Sequence, residues 1–159
     1  MKKVKLRFYT EDDFNFLHEM LSDKETRKYF PFLYTTCKEQ SLLRLRTRLM
    51  DQEFGYTNRF VIQDCKSKNA VGEISGRPAK DNTSIMELAV LVHPKFRAQG
   101  FAKAGAWELM KKMILKNPNL TRFRMEIADT NKASQFVAQR LDFDLVKDDK
   151  MQYWEKDVK

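Results

Sequence analysis

One segment constrains this chain more than any other: Ile85-Met86-Glu87-Leu88-Ala89-Val90-Leu91-Val92, apolar at odd and even positions alike except for Glu87. A strand of that pattern has no face to offer to water and reads as the centre of a sheet covered on both sides. Pro94 closes it, because proline has no N–H to give to a ladder and fixes its own φ. The remaining sequence must therefore supply cover for two faces.

It does so with amphipathic helices. After a strand over about Val4 to Phe8, Thr10-x-x-Asp13 has the residues of a helix-capping box, and Phe14, Leu17, Met20 and Leu21 follow at helical spacing. Thr36-x-x-Glu39 offers a second capping box for a helix to about Gln52, with Leu42, Leu45 and Leu49 on one face and Arg44, Arg46 and Arg48 on an expected solvated surface. Between them, the stretch from Lys28 to Thr35 is aromatic and broken by Pro31. It fits plain ring packing and a loop lining a substrate cleft equally well. Phe60 to Asp64 and Ala70 to Ser75 flank a polar turn and predict a hairpin. Ala102, Ala106, Leu109, Met110 and Met113 mark a helix to about Lys116, and Arg122 to Ala128 alternates as a strand. A short helix over Ala133 to Leu141 and a closing hairpin, Leu145 to Val146 with Met151 to Glu155, complete the order. That order predicts an α/β (α+β) fold with a mixed, largely antiparallel central sheet flanked by helices. At 159 residues, with no internal repeat and no linker, one domain over 1–159 is expected.

Composition narrows function less than it narrows fold. The 30 Lys and Arg against 22 Asp and Glu leave a net charge of +8, which favours an anionic ligand, nucleic acid, an acidic protein or a ribosomal surface without choosing among them. The basic residues are dispersed and form no low-complexity arm, so nucleic acid is not an expected partner. No apolar run suits a membrane span, and MKKVKLRF lacks the apolar core of a secretory signal; a cytoplasmic location and no membrane partner are expected. Cys37 and Cys65 are the only cysteines and His18 and His93 the only histidines, in no metal-ligand spacing, so no metal site is expected.

The stretch that carries chemistry follows the central strand. Arg97-Ala98-Gln99-Gly100-Phe101-Ala102 joins the proline break to a helix. A helix N-terminus in that position presents unpaired amides to a phosphate or pyrophosphate, Gly100 lets the backbone approach the anion, and Arg97 adds mobile positive charge. A plain turn before a surface helix carries the same local signature. The Walker glycine-lysine-serine ending and the Gly-x-Gly-x-x-Gly turn are both absent.

In these residues the chain resembles the GNAT superfamily of N-acetyltransferases, whose Arg/Gln-x-x-Gly-x-Gly/Ala signature matches Arg97 to Ala102. Asn131-x-x-Ser134 and Arg140-Leu141-Asp142-Phe143 are similar to segments of the RimJ/RimL-type ribosomal-protein alanine acetyltransferase branch, as are Leu6-Arg7-Phe8, Asp12-Asp13 and the run from Asp23 to Tyr29. The resemblance spans nearly the whole chain and implies the acyl-CoA N-acyltransferase fold with acetyl-CoA as cofactor. It implies that Arg97, Ala98, Gln99, Gly100, Phe101 and Ala102 cradle the pyrophosphate. Leu91 and Val92 would turn backbone groups to the pantetheine arm across a splayed gap beside Phe123 to Ala128, and Asn131 would orient that arm. Catalysis would fall to Glu87, receiving the proton of the acceptor amine, and to Ser134, assisting the leaving thiolate. The acceptor implied is a primary amine, on a protein N-terminus or a small molecule, and the reading admits a homodimer.

Three positions depart from the family pattern. Asp142 stands where relatives usually carry glycine, Ala104 where this branch often carries glutamate, and Ala138 where many members carry a tyrosine general acid. A catalytically weak or inactive protein that binds CoA or RNA on the same fold is the competing expectation. His93, at the end of the central strand, reads as a structural residue.

Overall fold

The apolar segment Ile85–Val92 is the middle strand of a seven-stranded sheet. The structure, a computed structural model, describes residues 1–159. Strands β1 (Val4–Arg7), β2 (Arg59–Asp64), β3 (Ala70–Pro78), β4 (Ile85–Val92), β5 (Arg122–Ala128), β6 (Asp144–Lys147) and β7 (Met151–Asp157) lie in the order β1-β2-β3-β4-β5-β7-β6. Only β4 and β5 pair in parallel; all other neighbours are antiparallel. The sheet is flanked by α1 (Phe14–Leu21), α2 (Lys24–Tyr29), α3 (Lys38–Glu53), α4 (Phe101–Lys116) and α5 (Lys132–Arg140). This is the mixed, largely antiparallel, helix-flanked sheet expected from the element order. No helix is long and apolar enough to cross a membrane.

Both faces of β4 are used. Met86 and Leu88 join the larger core with Phe101, Leu109, Met110 and Met113 of α4 and Phe123, Met125 and Ile127 of β5. Leu91 points the other way, into a smaller core with Leu17, Met20 and Leu21 of α1, Leu45 of α3 and Val61 of β2. Each such side chain contributes roughly 1.5–3 kcal/mol through burial. Strand alternation puts Glu87 and Ala89 on the Leu91 face, where the β3 register sets Arg77, Ser75 and Glu73 opposite Glu87, Ala89 and Leu91.

Several local expectations change. The residues after α1 form an additional helix, α2, whose N-cap Asp23 accepts from the Glu25 amide at 2.9 Å. The Thr36-x-x-Glu39 capping box does not form: α3 is capped by Cys37 without a side-chain bond, and Gln40 Oε1 covers the Thr36 amide at 2.7 Å. Leu42 is turned outward, while Leu45 is buried. At the first helix the Asp13 carboxylate does accept from the Thr10 amide, at 2.8 Å, and it also takes both Arg7 donors.

The largest correction is Arg48. It is 6% exposed, not solvated, and its Nε and Nη2 donate to Glu73 of β3 at 2.6 and 3.1 Å. Glu73 is 1% exposed and also accepts from Arg59 Nη1 at 2.5 Å and from the Tyr9 hydroxyl. One carboxylate thus ties α3, β2 and the segment after β1 to the sheet. Desolvation alone would raise the Glu73 carboxyl, but Arg48 and Arg59 hold it down at about 2. The stability this supplies is fully present above the ordinary glutamate value of 4.5 and is lost as pH falls from there toward 2. Glu73→Gln should therefore lower stability at pH 7 by on the order of 3 kcal/mol in urea unfolding, leaving two arginines without a buried counter-charge. The gap to wild type should narrow below pH 4.5; an equal gap at pH 3 and pH 7 would contradict the assignment.

Asp142 explains its family position. The chain leaves α5 with Asp142 at φ +60°, the Asp142 amide donating to Gln139 O and the Phe143 amide to Ala138 O, both at 3.0 Å. This left-handed helix end suits glycine best and aspartate better than most residues. Asp142→Gly should be neutral or stabilising by up to about 1 kcal/mol, and Asp142→Val destabilising by about 1 kcal/mol, in the same unfolding assay. The reverse order would contradict the cap geometry.

Candidate active site

The parallel ladder between β4 and β5 is short. It runs Ile85↔Arg122, Met86↔Phe123, Glu87↔Arg124 and stops, although β4 continues to Val92 and β5 to Ala128. On their outer sides both strands stay paired, β4 with β3 as far as Val92 and β5 with β7 as far as Ala128. The two strands therefore part from Glu87 onward and leave facing edges without a ladder. The Leu91 and Val92 backbone lies on the β4 side of this gap.

Because the strands are parallel, both lips end at the same edge of the sheet. The β4 lip runs through a single turn of 3-10 helix at Pro94–Phe96 into Arg97 to Gly100 and the start of α4. Ala98 at φ +57° and Gly100 at φ +87° both take left-handed conformations. The first backbone bond of the following helix is Ala104 N–H to Gly100 O at 3.1 Å, and no amide from Arg97 through Lys103 donates to any protein acceptor. A run of unsatisfied donors at a helix N-terminus is the arrangement that receives phosphate oxygens. A Cβ at Gly100 would meet only Lys2 Cγ at 3.8 Å, so the space before these amides is open.

Charged side chains brace this turn. Arg97, expected to be mobile, is held by Asp23 at 2.7 Å, which fastens the N-terminus of α2 to the loop. The buried His93 accepts from the Lys95 amide through Nδ1 at 3.2 Å and reaches Glu19 of α1 through Nε2 at 2.6 Å. It is a structural residue, as expected. Gln99 donates to Lys95 O at 3.3 Å, while Phe101 is buried under Phe96. On the β5 lip, Asn131 caps α5, its Oδ1 accepting from the Ser134 amide at 3.2 Å. Asn131 Nδ2 and Ser134 Oγ bond to no protein group. Tyr29, from the aromatic stretch, donates to Thr130 O at 3.3 Å and so brings the end of α2 to this lip. Ala102 lies in the first turn of α4; Ala104 and Ala138 are buried in the larger core and present no functional group.

Glu87 sits where the strands part. It is 9% exposed, accepts no hydrogen bond from a protein donor, and has Arg77 Nη2 at 3.6 Å as its only ion-pair partner. Arg124, its register neighbour, is committed elsewhere, to Glu155 at 2.8 Å and to both Asp81 oxygens at 2.8 and 3.2 Å. Burial pushes the Glu87 carboxyl up, and the neighbouring Glu126 carboxyl pushes it further, against the pull of Arg77 and Arg124. Ala89, the next residue on this face, is exposed in the middle of the central strand, so the face opens there to solvent. A raised carboxyl beside an open face can accept a proton from a bound amine. Sequence reading missed Glu126 and Arg77, while Tyr29 lies in the aromatic stretch read as ring packing or a cleft loop. Glu126 alternates with apolar residues and so reads as solvent-facing, Arg77 lies beyond the predicted strand Ala70 to Ser75, and nothing local shows that they converge.

Comparison with known proteins agrees with this geometry. Residues 3–144 match the acetyltransferase (GNAT) domain. No protein of curated function matches the chain in sequence. Among solved structures, the chain is similar to RimL, a ribosomal L7/L12 alpha-N-protein acetyltransferase in complex with coenzyme A, with TM-score 0.78 and 17% identity over 99% of this chain and 96% of that one. It is similar to the acetyl transferase that modifies the N-terminal serine of 50S ribosomal subunit protein L7/L12 from Salmonella typhimurium, with TM-score 0.76 and 17% identity over 100% and 97%. It is also similar to MccE, the microcin C7 self-immunity acetyltransferase, in complex with acetyl-CoA and AMP, with TM-score 0.77 and 13% identity over 98% and 93%. A parting parallel strand pair, a helix start with free amides and a family match over most of the chain lead to one conclusion: this protein belongs to the GNAT acetyltransferase family.

Proposed function

We propose that residues 1–159 form one catalytic domain that transfers the acetyl group of acetyl-CoA to a primary amine, in the manner of RimJ/RimL-type enzymes. The observation that carries this is the run of unsatisfied amides from Arg97 to Lys103 at the mouth of the β4–β5 gap. The residues present suit such a cofactor. Ala98 to Ala102 offer backbone donors to the pyrophosphate, Gly100 keeps the approach clear, and Arg97 stays beside it under the hold of Asp23. The open edges of β4 and β5 give the pantetheine amides a place to pair, with Leu91 and Val92 on one side and Asn131 Nδ2 on the other. A backbone amide near Leu91 would polarise the thioester carbonyl.

Glu87 receives the proton of the acceptor amine, which then attacks the thioester carbon directly, and Ser134 Oγ steadies the departing sulfur. With Ala138 in place of a tyrosine, that hydroxyl is the group available on α5 for the task. The amine acceptor is read as a protein N-terminus, by likeness to relatives named for ribosomal L7/L12; small-molecule amines are the second class to try.

Two measurements test this. Calorimetric titration should show coenzyme A binding to wild type and at least about tenfold weaker binding to Gly100→Trp, whose φ of +87° and indole both disturb the cradle. Equal affinity in a folded variant would overturn the cradle assignment. Turnover of acetyl-CoA with a panel of amines, led by a hexapeptide with N-terminal serine and including spermidine, should fall about 10²-fold or more in Glu87→Gln. Because the Glu87 carboxyl is raised, the wild-type rate should be lost on acidification at a pH above the ordinary glutamate range. No turnover with any amine would favour a CoA-binding protein without catalysis.

A further inference from the structure

We propose, on the reading of Glu87 as the base, that Glu126 of β5 is the group through which the acceptor's proton leaves the site. The register sets Glu87 opposite Arg124, so Glu126, two residues further along β5 and on the same face, is the diagonal neighbour of Glu87 at the point where the strands part. The Glu126 carboxyl is close enough to push the Glu87 carboxyl up. They differ in exposure: Glu87 is 9% exposed, and Glu126 is open to solvent.

The reaction needs such an exit. The acceptor enters as R–NH3+. One proton passes to the Glu87 carboxylate, and the freed lone pair forms the N–C bond as the C–S bond breaks. A second proton moves from that nitrogen to the departing sulfur. Amide and thiol leave, one proton remains on Glu87, and it must go before the next amine can be deprotonated. The groups around Glu87 offer one route. Arg77 from β3 and Arg124 from β5 are permanently protonated and accept nothing. Glu155 of β7 is held by Arg122 at 2.9 Å and Arg124 at 2.8 Å, and Asp81 is held by Arg124. Tyr153 of β7, register partner of Glu126, carries a phenol and no carboxylate. Glu126 alone combines contact with Glu87, freedom from an arginine and access to water.

The test uses Glu126→Gln and Glu126→Asp, with acetyl-CoA and the serine hexapeptide as probes. In dilute buffer Glu126→Gln should lower kcat at least tenfold with the KM for acetyl-CoA unchanged, and Glu126→Asp should keep most of the rate. Added formate or imidazole should restore kcat of Glu126→Gln in proportion to concentration. The acid limb of kcat/KM should move to lower pH, since a like charge next to Glu87 is gone. A carbon-13 carboxyl titration should show the same fall for Glu87 without any acceptor. An unchanged Glu87 titration in Glu126→Gln, a wild-type rate, or a loss that no buffer restores would overturn the proposal. Full activity of Glu87→Gln would remove the base itself, and this inference with it; intact coenzyme A binding in that variant would leave the cradle standing.

Discussion

The geometry of this protein turns on a ladder that ends early. Three residue pairs join β4 to β5, and beyond Glu87 and Arg124 the strands separate while each remains locked to its other neighbour. Unpaired strand edges inside a sheet are costly unless something pairs with them. Here they open at the same end as a helix N-terminus with its own unpaired amides. Two sets of unsatisfied backbone donors and acceptors, side by side, form an extended polar slot made from main chain alone. An anion or an extended chain entering this slot would meet backbone more than side chains, and Ala138 leaves the slot itself unchanged.

The slot needs rigid walls, and the buried charges provide them. Glu73 gathers Arg48, Arg59 and Tyr9 and holds α3 on the same sheet face that opens further along at Ala89. Asp23 with Arg97 and Glu19 with His93 fasten α2 and α1 to the turn after β4. Tyr29 then touches the opposite lip at Thr130. The short helix α2 is thus fixed at both rims of the gap, so the two lips share one support.

Much of this was legible in sequence, for identifiable reasons. The run from Ile85 to Val92 could only be a central strand, and Pro94 and Gly100 punctuate a strand-turn-helix unit whatever surrounds them. Arg48 was misread because its burial depends on Glu73, 25 positions away, and no periodicity reports a charge pair across that distance. Cys37 takes the cap in place of Thr36, whose amide donates to Gln40 Oε1 instead of to Glu39. The Asp142 departure became intelligible only with its φ of +60°. Within the candidate site, the residues from Arg97 to Ala102 are contiguous and could be found as a motif. Glu126 was invisible, because its meeting with Glu87 follows from the β4–β5 register.

The central claim is that the amides of the turn after β4 await an anion. It is tested most directly by titrating the nitrogen-15-labelled protein with coenzyme A and following backbone amide resonances. The account predicts saturable shifts concentrated in Arg97 to Lys103, with smaller ones along Leu91 and Val92. Shifts scattered over surface lysines, with the turn after β4 unmoved, would contradict it.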